Sequence, residues 1–402
     1  MNTHCKTFWL IGLLVIGVLF SLVAEVTLAA EVTVTAQYLA SASGRFENTT
    51  PLASFCRRWP AECRDTQAMQ IPITYSKTTV TGDPDLLSRF YVKLPGVRQV
   101  EVADARTGER HTLTFAITAL SQKVTGGESY RNNPAYTLYP QGGCRYKRTY
   151  SHPVMPARTW YLWTIKEPSA PAGCHSAPEV GDNGQVIPTE IEEMGVAYHL
   201  DMPPPYRMKP GLYTGSLIYS VGPGGDFDFG NQVSNLNDTS LTLNFQLEVQ
   251  HAFVFEFAPG SERAVLEPPG GWMAWMNGRG APQRLYRDLP FRLWSTGPFR
   301  VYKRCARDLG TGCAISNEQG HQVQVDVALS LPGGIEYQGA EVQRLTLPSD
   351  RAGALQMESV SPALNKPGQL HFKVDEQAVR SMLDHPGSRY RGEVTVIFDA
   401  EL

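Results

Sequence analysis

At 402 residues the chain is long enough for two domains with separate cores. Its 42% apolar content, 19% charged residues and net charge of −3 exclude a strongly basic nucleic-acid binder and give an acidic membrane surface nothing to attract. With 36 Gly, 29 Pro and 10% aromatic residues, and no long stretch at helical spacing, the composition predicts a turn-rich all-β protein.

The first thirty residues differ in kind from the rest. Lys6 supplies a basic start, Phe8 to Ala24 an apolar core, and "TLAA" (Thr27 to Ala30) small residues for cleavage, so residues 1–30 are expected to be a secretory signal peptide. The alternative is a retained anchor, but the apolar run is near the lower limit for a span and Glu25 interrupts it.

Apolar residues then fall on alternate positions, as strands with one buried face require. Strands are expected at "EVTVTAQYL" (Glu31 to Leu39), "QIPITYS" (Gln70 to Ser76), "RQVEVAD" (Arg98 to Asp104), "HTLTFAITAL" (His111 to Leu120) and "RTWYLWTI" (Arg158 to Ile165). Between them lie turn clusters such as "TGDPD" and "RNNPAY". "GLYTGSLIYSV" (Gly211 to Val221) and "LTLNFQLEV" (Leu241 to Val249) follow, and a new strand starts at Ala252 with almost no spacer. That junction predicts a first domain over 31–250 and a second over 251–402. The second has its own strands, among them "LPFRLWST", "FRVYKRC", "HQVQVDVALSLP" and "GQLHFKVD", a helical turn over Asp375 to His385, and a final "GEVTVIF".

Removing the leader also removes Cys5, leaving Cys56, Cys63, Cys144, Cys174, Cys305 and Cys313. They fall into three local pairs, and sequence proximity makes Cys56–Cys63, Cys144–Cys174 and Cys305–Cys313 the most economical bridging. In an oxidising compartment each bridge contributes roughly 2 to 4 kcal/mol. Zinc would need a Cys-x-x-Cys or paired-histidine spacing, and the chain has neither, so no metal and no cofactor are expected.

A Tyr-x-Gly element occurs at Tyr213–Gly215 and again at Tyr390–Gly392. In the first domain another strand follows it; in the second only "DAEL" follows the final strand. If both domains are immunoglobulin-like sandwiches of about seven strands with this strand penultimate, the second lacks its last strand. An unfilled edge of that kind templates association, and a strand donated by another chain is one way to fill it. Val394, Val396 and Phe398 would then line the edge of the groove. A topologically permuted sandwich and a last strand contributed by the start of the domain are the alternatives.

The layout resembles the two-domain tip adhesins of class 5 chaperone-usher fimbriae, the colonization-factor and cable-pilus type. The likeness rests on the leader, "SFC" at Ser54 to Cys56, the junction "LTLNFQLEVQHAFVFEF" and the closing "YRGEVTVIFDAEL". It implies an amino-terminal domain that binds a host glycan or glycoprotein and a carboxy-terminal pilin domain completed by a donated strand. The partners so implied are a periplasmic pilus chaperone, an outer-membrane usher and an adjacent pilin subunit. The location implied is the fimbrium tip, reached through the periplasm, with a role in initiating assembly. Characterised members carry receptor-binding arginines just after the first Tyr-x-Gly strand. Here that position reads "SVGPGGDFDFG" (Ser220 to Gly230), with Asp226 and Asp228 and no arginine, so those residues do not carry over.

Two other clusters suit an acidic sugar: Arg57, Arg58, Trp59 and Arg64 around the first cysteine pair, and Arg145, Lys147 and Arg148 beside Cys144. A guanidinium pairs with a carboxylate or sulfate while an adjacent ring stacks on the sugar face. The metalloprotease, nucleophile-elbow, phosphate-loop and dinucleotide motifs are all missing. The adjacent Glu192 and Glu193 have glycosidase chemistry but are expected in a solvated loop. A non-enzymatic adhesin is therefore the leading expectation, with a secreted monomeric β-sandwich lectin or polysaccharide-active enzyme as the alternative.

Overall fold

Alternation of apolar residues becomes extended backbone through most of the chain. The computed structural model describes residues 30–400 apart from 41–42, 65, 153, 179–181, 261–262 and 278–279, so the expected signal peptide lies outside the described residues. The longer strands of the first half are β1 (Ala30–Leu39), β2 (Gln67–Gln70), β3 (Tyr75–Val80), β4 (Arg98–Asp104), β5 (Arg110–Gly126), β6 (Cys144–His152), β7 (Arg158–Ile165), β8 (Val186–Asp201), β9 (Gly211–Ser220) and β10 (Ser240–Gln250). All ten belong to one 12-stranded sheet in which β3, β8, β5, β4, β9, β10 and β1 are successive neighbours, β7 pairs with β5 and β6, and β2 pairs with β8.

Two long strands give this sheet its shape. β5 pairs with β4 along its first half and with β7 along its second, so one strand serves two parts of the sheet. β8 pairs with β3 and then β2 on one side and with β5 on the other, and its register with β5 breaks between Glu192 and Gly195. A bulge there bends the strand. The core enclosed runs from Val34 and Tyr38 through Phe90, Phe115, Trp163 and Tyr213 to Leu243 and Phe245. This body is more elaborate than a seven-stranded sandwich. It also departs from the expected strand over Gln70 to Ser76, which is split: β2 ends at Gln70 and β3 starts at Tyr75. Pro72, with no N–H to give a ladder, lies in the gap.

β10 closes the first body. It runs antiparallel to β9 from Gly211↔Val249 to Ser220↔Ser240 and parallel to β1 from Ala30↔Leu241 to Leu39↔Gln250. Leu241, Leu243, Phe245, Leu247 and Val249 all point into the core. At roughly 1.5 to 3 kcal/mol each, these five are worth on the order of 10 kcal/mol gross.

The second half contains β11 (Phe253–Phe257), α2 (Trp272–Met276), β12 (Leu285–Ser295), β13 (Phe299–Cys305), β14 (Gly312–Ser316), β15 (Gln322–Ser330), β16 (Leu355–Ser359), β17 (Ala363–Val374), α3 (Glu376–Leu383) and β18 (Val394–Asp399); α1 (Ser54–Arg58) belongs to the first half. One sheet runs β11, β12, β17, β15, β14; the other has β16, β13 and β18 in that order, with β18 last. A core of Leu289, Leu293, Phe299, Val301, Leu329 and Met357 lies between them. The Asp375 carboxylate caps α3 by accepting the Ala378 N–H at 2.8 Å. Among the described residues no ladder joins a strand before Gln250 to one after Phe253.

The two Tyr-x-Gly elements share a physical reason for their glycine. A Cβ at Gly215 would lie 2.3 Å from the Glu101 carbonyl oxygen, and one at Gly392 would lie 2.6 Å from that of Ala314, so each position admits only close backbone approach. The tyrosines diverge: the Tyr213 hydroxyl donates to the Lys209 carbonyl at 2.9 Å, the corner arrangement of immunoglobulin-like domains, whereas Tyr390 meets His321 Nδ1 at 2.7 Å.

His251, buried at the junction, has Nε2 2.8 Å from the Met208 carbonyl and sits edge-on to Tyr38. A side chain at Gly297 would meet the His251 ring at 2.3 Å.

Lys77 is buried in the first body, its ammonium donating to the carbonyls of Leu87 and Phe229 at 2.9 Å and Asn231 at 2.6 Å. Burial pulls it from the ordinary 10.5 down to about 8, against the pull of Asp228 and Asp85. Between those values the unfolded chain binds more protons than the folded one, so stability rises with pH across that window, by on the order of 3 kcal/mol in full. Tyr75, Tyr213 and Tyr219, pushed above the ordinary 10.0 by burial, work the other way at higher pH. Denaturant unfolding from pH 8 to 10 is expected to show that rise, and Lys77→Met to remove it; an unchanged slope would show that Lys77 is not its source.

Candidate functional site

A short helix under a disulfide organises the basic residues of the first body. α1 buries Phe55, and the next residue, Trp59, is also buried, among Ala68, Ala119 and Leu162. The Trp59 indole N–H donates to Ser121 Oγ at 2.8 Å. Trp59 therefore belongs to the core, which corrects its expected place in a ligand site: an indole only 6% exposed, with its N–H already bonded, has no open face for a sugar to stack on. The Cys56–Cys63 bridge (Cα–Cα 5.7 Å) closes the loop that follows. Gly195 of β8 lets the helix in, since a Cβ there would sit 2.9 Å from that of Phe55.

This anchoring leaves Arg57 exposed and aims Arg58 at two rings from the neighbouring hairpin. The Arg58 guanidinium carbon lies 4.6 Å from the Tyr150 ring centre and 4.2 Å from that of Trp160. Tyr150 and Trp160 face each other in the β6–β7 ladder with ring centres 5.7 Å apart. The Trp160 indole N–H donates to Glu193 Oε2 at 2.9 Å, and Lys123 Nζ lies 2.8 Å from Glu192 Oε2. Glu62, inside the disulfide loop, takes Arg148 at 3.1 Å and Lys147 at 3.6 Å. The two basic clusters of the sequence thus meet on one surface. Arg64 is exposed beside Cys63, while Arg145 pairs with Thr164 beyond the register shift at Leu162/Trp163 and stands apart from the rings.

Glu192 and Glu193 were expected in a loop and instead sit on β8 at its bulge, Glu193 with φ 48°. The bulge turns both carboxylates toward α1. An open depression of about 820 Å³ lies here, lined by Leu52, Ser54, Arg57, Arg58, Gln70 and both glutamates. Its chemistry is mixed: guanidinium, carboxylate, amide and hydroxyl groups, with an indole at the rim. Three glutamates offset Lys123, Lys147 and Arg148, so the surface is suited to hydrogen-bonding a polyol, and Arg57, exposed and with no ion-pair partner among the described residues, offers a cation for an acidic substituent. Tyr150, Trp160 and Lys123 escaped the sequence reading; the alternating aromatics of "KRTYSH" and "RTWYLW" were the available signal.

The segment after the first Tyr-x-Gly strand is structural. Asp226 pairs with Arg98 at 2.6 Å and accepts the Ser220 N–H at 2.9 Å, while Phe227 and Phe229 are buried.

In the second body β11 and β18 are each paired on one side only among the described residues. β11 bonds to β12, and β18 bonds to β13 from Arg300↔Asp399 to Cys305↔Val394. Their inward residues, Phe253 and Phe255 on one strand and Val394, Val396 and Phe398 on the other, pack on the core yet are only half-buried. An apolar groove thus runs between two strand edges that carry no second ladder among the described residues. The Cys305–Cys313 bridge (Cα–Cα 5.3 Å) lies at its Val394 end, and Cys144–Cys174 (Cα–Cα 5.3 Å) belongs to the first body.

One further array resembles a catalytic relay. Ser330 Oγ lies 2.8 Å from His371 Nε2, and His371 Nδ1 lies 2.7 Å from Asp288 Oδ1. The ring is closed, however: Ser330 Oγ also accepts the Arg344 N–H at 2.9 Å, and the Arg344 guanidinium reaches Asp288 Oδ2 at 3.2 Å. His371 and Arg344 together hold the Asp288 carboxyl below the ordinary carboxylate range, although its burial acts the other way. We assign the array to stapling the 340–346 segment onto the sheet. His371→Ala is expected to lower stability by about 1 to 3 kcal/mol in denaturant melts, and a fluorophosphonate probe to leave Ser330 unlabelled; labelling lost in Ser330→Ala would overturn the assignment.

Fold and site together define an all-β protein of two sandwich-like bodies, one with a mixed-charge aromatic depression and one with an open-edged groove. No family model matches the chain, and no curated protein matches it in sequence. Among solved structures it is similar to the CsuC–CsuE chaperone–tip adhesion subunit pre-assembly complex of the archaic chaperone-usher Csu pili of Acinetobacter baumannii. The identity is 12% and the TM-score 0.21, over 92% of this chain and 98% of that one. A TM-score of that size carries no weight for function, which rests on the geometry above.

Proposed function

We propose that the chain is a two-domain adhesin of a chaperone-usher pilus, divided at about residue 250. Residues 31–250 bind a surface glycan or glycoprotein through the depression at α1, β6, β7 and β8. Residues 251–402 accept a strand from a periplasmic chaperone and later from an adjacent pilin at the outer-membrane usher. The tip position, a part in starting assembly and the class 5 layout belong to the same proposal. The observation that carries it is the groove between β11 and β18: two strand edges with free backbone groups, floored by half-buried Phe and Val, are completed chemically by a third strand. Three disulfides fit passage through an oxidising compartment.

A free lectin is the second reading, favoured by the depression taken alone; catalysis has less behind it, because the relay is self-satisfied. The groove separates the readings. In the chain from residue 31 onward, amide hydrogen exchange is expected to be fast along one side of β18 and to slow when a strand-forming apolar peptide is added, with a higher melting temperature. A monomer whose β18 amides are fully protected without any partner would sink the adhesin reading. On a glycan array, Arg57→Ala and Trp160→Ala are each expected to weaken binding about tenfold or more with the fold intact; unchanged binding in both would place the receptor elsewhere.

A further inference from the structure

Between the two bodies the chain passes through His251, whose buried ring touches both. On the first body, the Met208 carbonyl lies 2.8 Å from Nε2, and Tyr38 meets the ring edge-on at 5.8 Å between ring centres. On the second, Gly297 abuts the ring so closely that a Cβ there would come within 2.3 Å of it. The Gly297 carbonyl accepts the buried hydroxyls of Ser295 at 2.9 Å and Ser359 at 2.8 Å, which pins that wall. Other contacts cross the boundary nearby: the Tyr38 hydroxyl lies 3.5 Å from the Thr296 carbonyl, and a Cβ at Gly44 would stand 3.4 Å from Pro362. His251 Nδ1 is buried and has no hydrogen-bond partner among the described residues.

We propose that His251 is a pH-sensitive catch between the two bodies, holding them together while neutral and releasing them when it takes a proton. A carbonyl can only accept, so Nε2 carries the hydrogen of the neutral ring and Nδ1 the lone pair. A proton added at Nδ1 creates a second donor and a positive charge, both buried and without a partner. The Gly297 carbonyl, already taken by two serines, has no lone pair left to offer. The ring reaches water only if Gly297 moves away from Met208 and Tyr38, which parts the bodies. Of the charged neighbours, Glu109 at the turn between β4 and β5 favours the proton, but it lies 2.7 Å from His111 Nε2 and 3.8 Å from Lys209 Nζ, so its charge is shared. β1 supplies Tyr38, whose hydroxyl burial pushes above the ordinary 10.0, with the Tyr206 phenol beside it. Ser295, Thr296 and Ser359 of the second body are uncharged. Burial accordingly holds His251 below the ordinary 6.5, with the Met208 and Thr296 backbone and Glu109 acting the other way. The closed arrangement is therefore at full strength above about pH 6.5 and weakens as the pH falls below it.

The test follows the chain from residue 31 onward by small-angle scattering and imidazole NMR at pH 7.5 and pH 5. The ratio of closed to open molecules is expected to fall by up to about thirtyfold between them, the limit for a ring that titrates near 6.5 when open and takes no proton when closed. The maximum dimension should grow, reversibly, while the amides of β10 and β12 stay protected. His251→Gln, which keeps a neutral donor for Met208, is expected to stay closed at both values, and His111→Gln to open as the unaltered chain does. If the unaltered chain keeps its dimension at pH 5, or His251→Gln opens equally far, the proposal fails. It fails too if His111→Gln abolishes the opening, since the response then belongs to the Glu109–His111 pair. Should His251→Gln not fold, the unaltered chain still decides: the His251 ring must take its proton over the range in which the bodies part, and a ring still neutral in an opened chain overturns the assignment.

Discussion

Every strand has two sides of backbone donors and acceptors, and the architecture turns on how each strand next to a Tyr-x-Gly element satisfies its second side. In the first body β10 lies between β9 and β1, and five apolar side chains are sealed beneath it. In the second, β18 has β13 on one side and the groove on the other, so the residues that should seal the core stay half-buried. The same chain thus holds one finished and one open solution to a single problem.

The depression of the first body depends on burial of a different kind. Phe55 and Trp59 fix a single turn of helix, Gly195 lets it lie on β8, and only then do Arg57 and Arg58 face the rings of the next hairpin. Acidic partners hold most of the remaining cations in place. A surface organised this way presents fixed hydrogen-bonding groups in preference to a diffuse positive field, which suits a sugar better than a polyanion.

Much of this was legible in the sequence because period-two patterning reports burial directly: β1, β4, β7, β9 and β10 lie where alternation puts them, and α3 starts at its Asp375 cap. The last strand, β18, with Val394, Val396 and Phe398 on one face, was legible from its alternation. What escaped was non-local. Pro72 splits a run whose alternation is unbroken; β5 and β8 extend past their obvious limits because they pair with different neighbours along their length; the parallel pairing of β1 with β10 has no local signal. Trp59 was misplaced for the same reason: its partner Ser121 is far away in sequence, and a tryptophan beside arginines reads alike whether it faces inward or outward.

The pairing of β10 has a mechanical consequence. It leads straight into the second body through a link of residues 251–252, with His251 wedged under Gly297. A pull on the second body against the first would act along β10, whose ladders to β9 and β1 run its full length on both sides. Such a load shears two rows of hydrogen bonds together and cannot peel them one at a time, so the strand that seals the first core would also carry the force that passes between the two bodies.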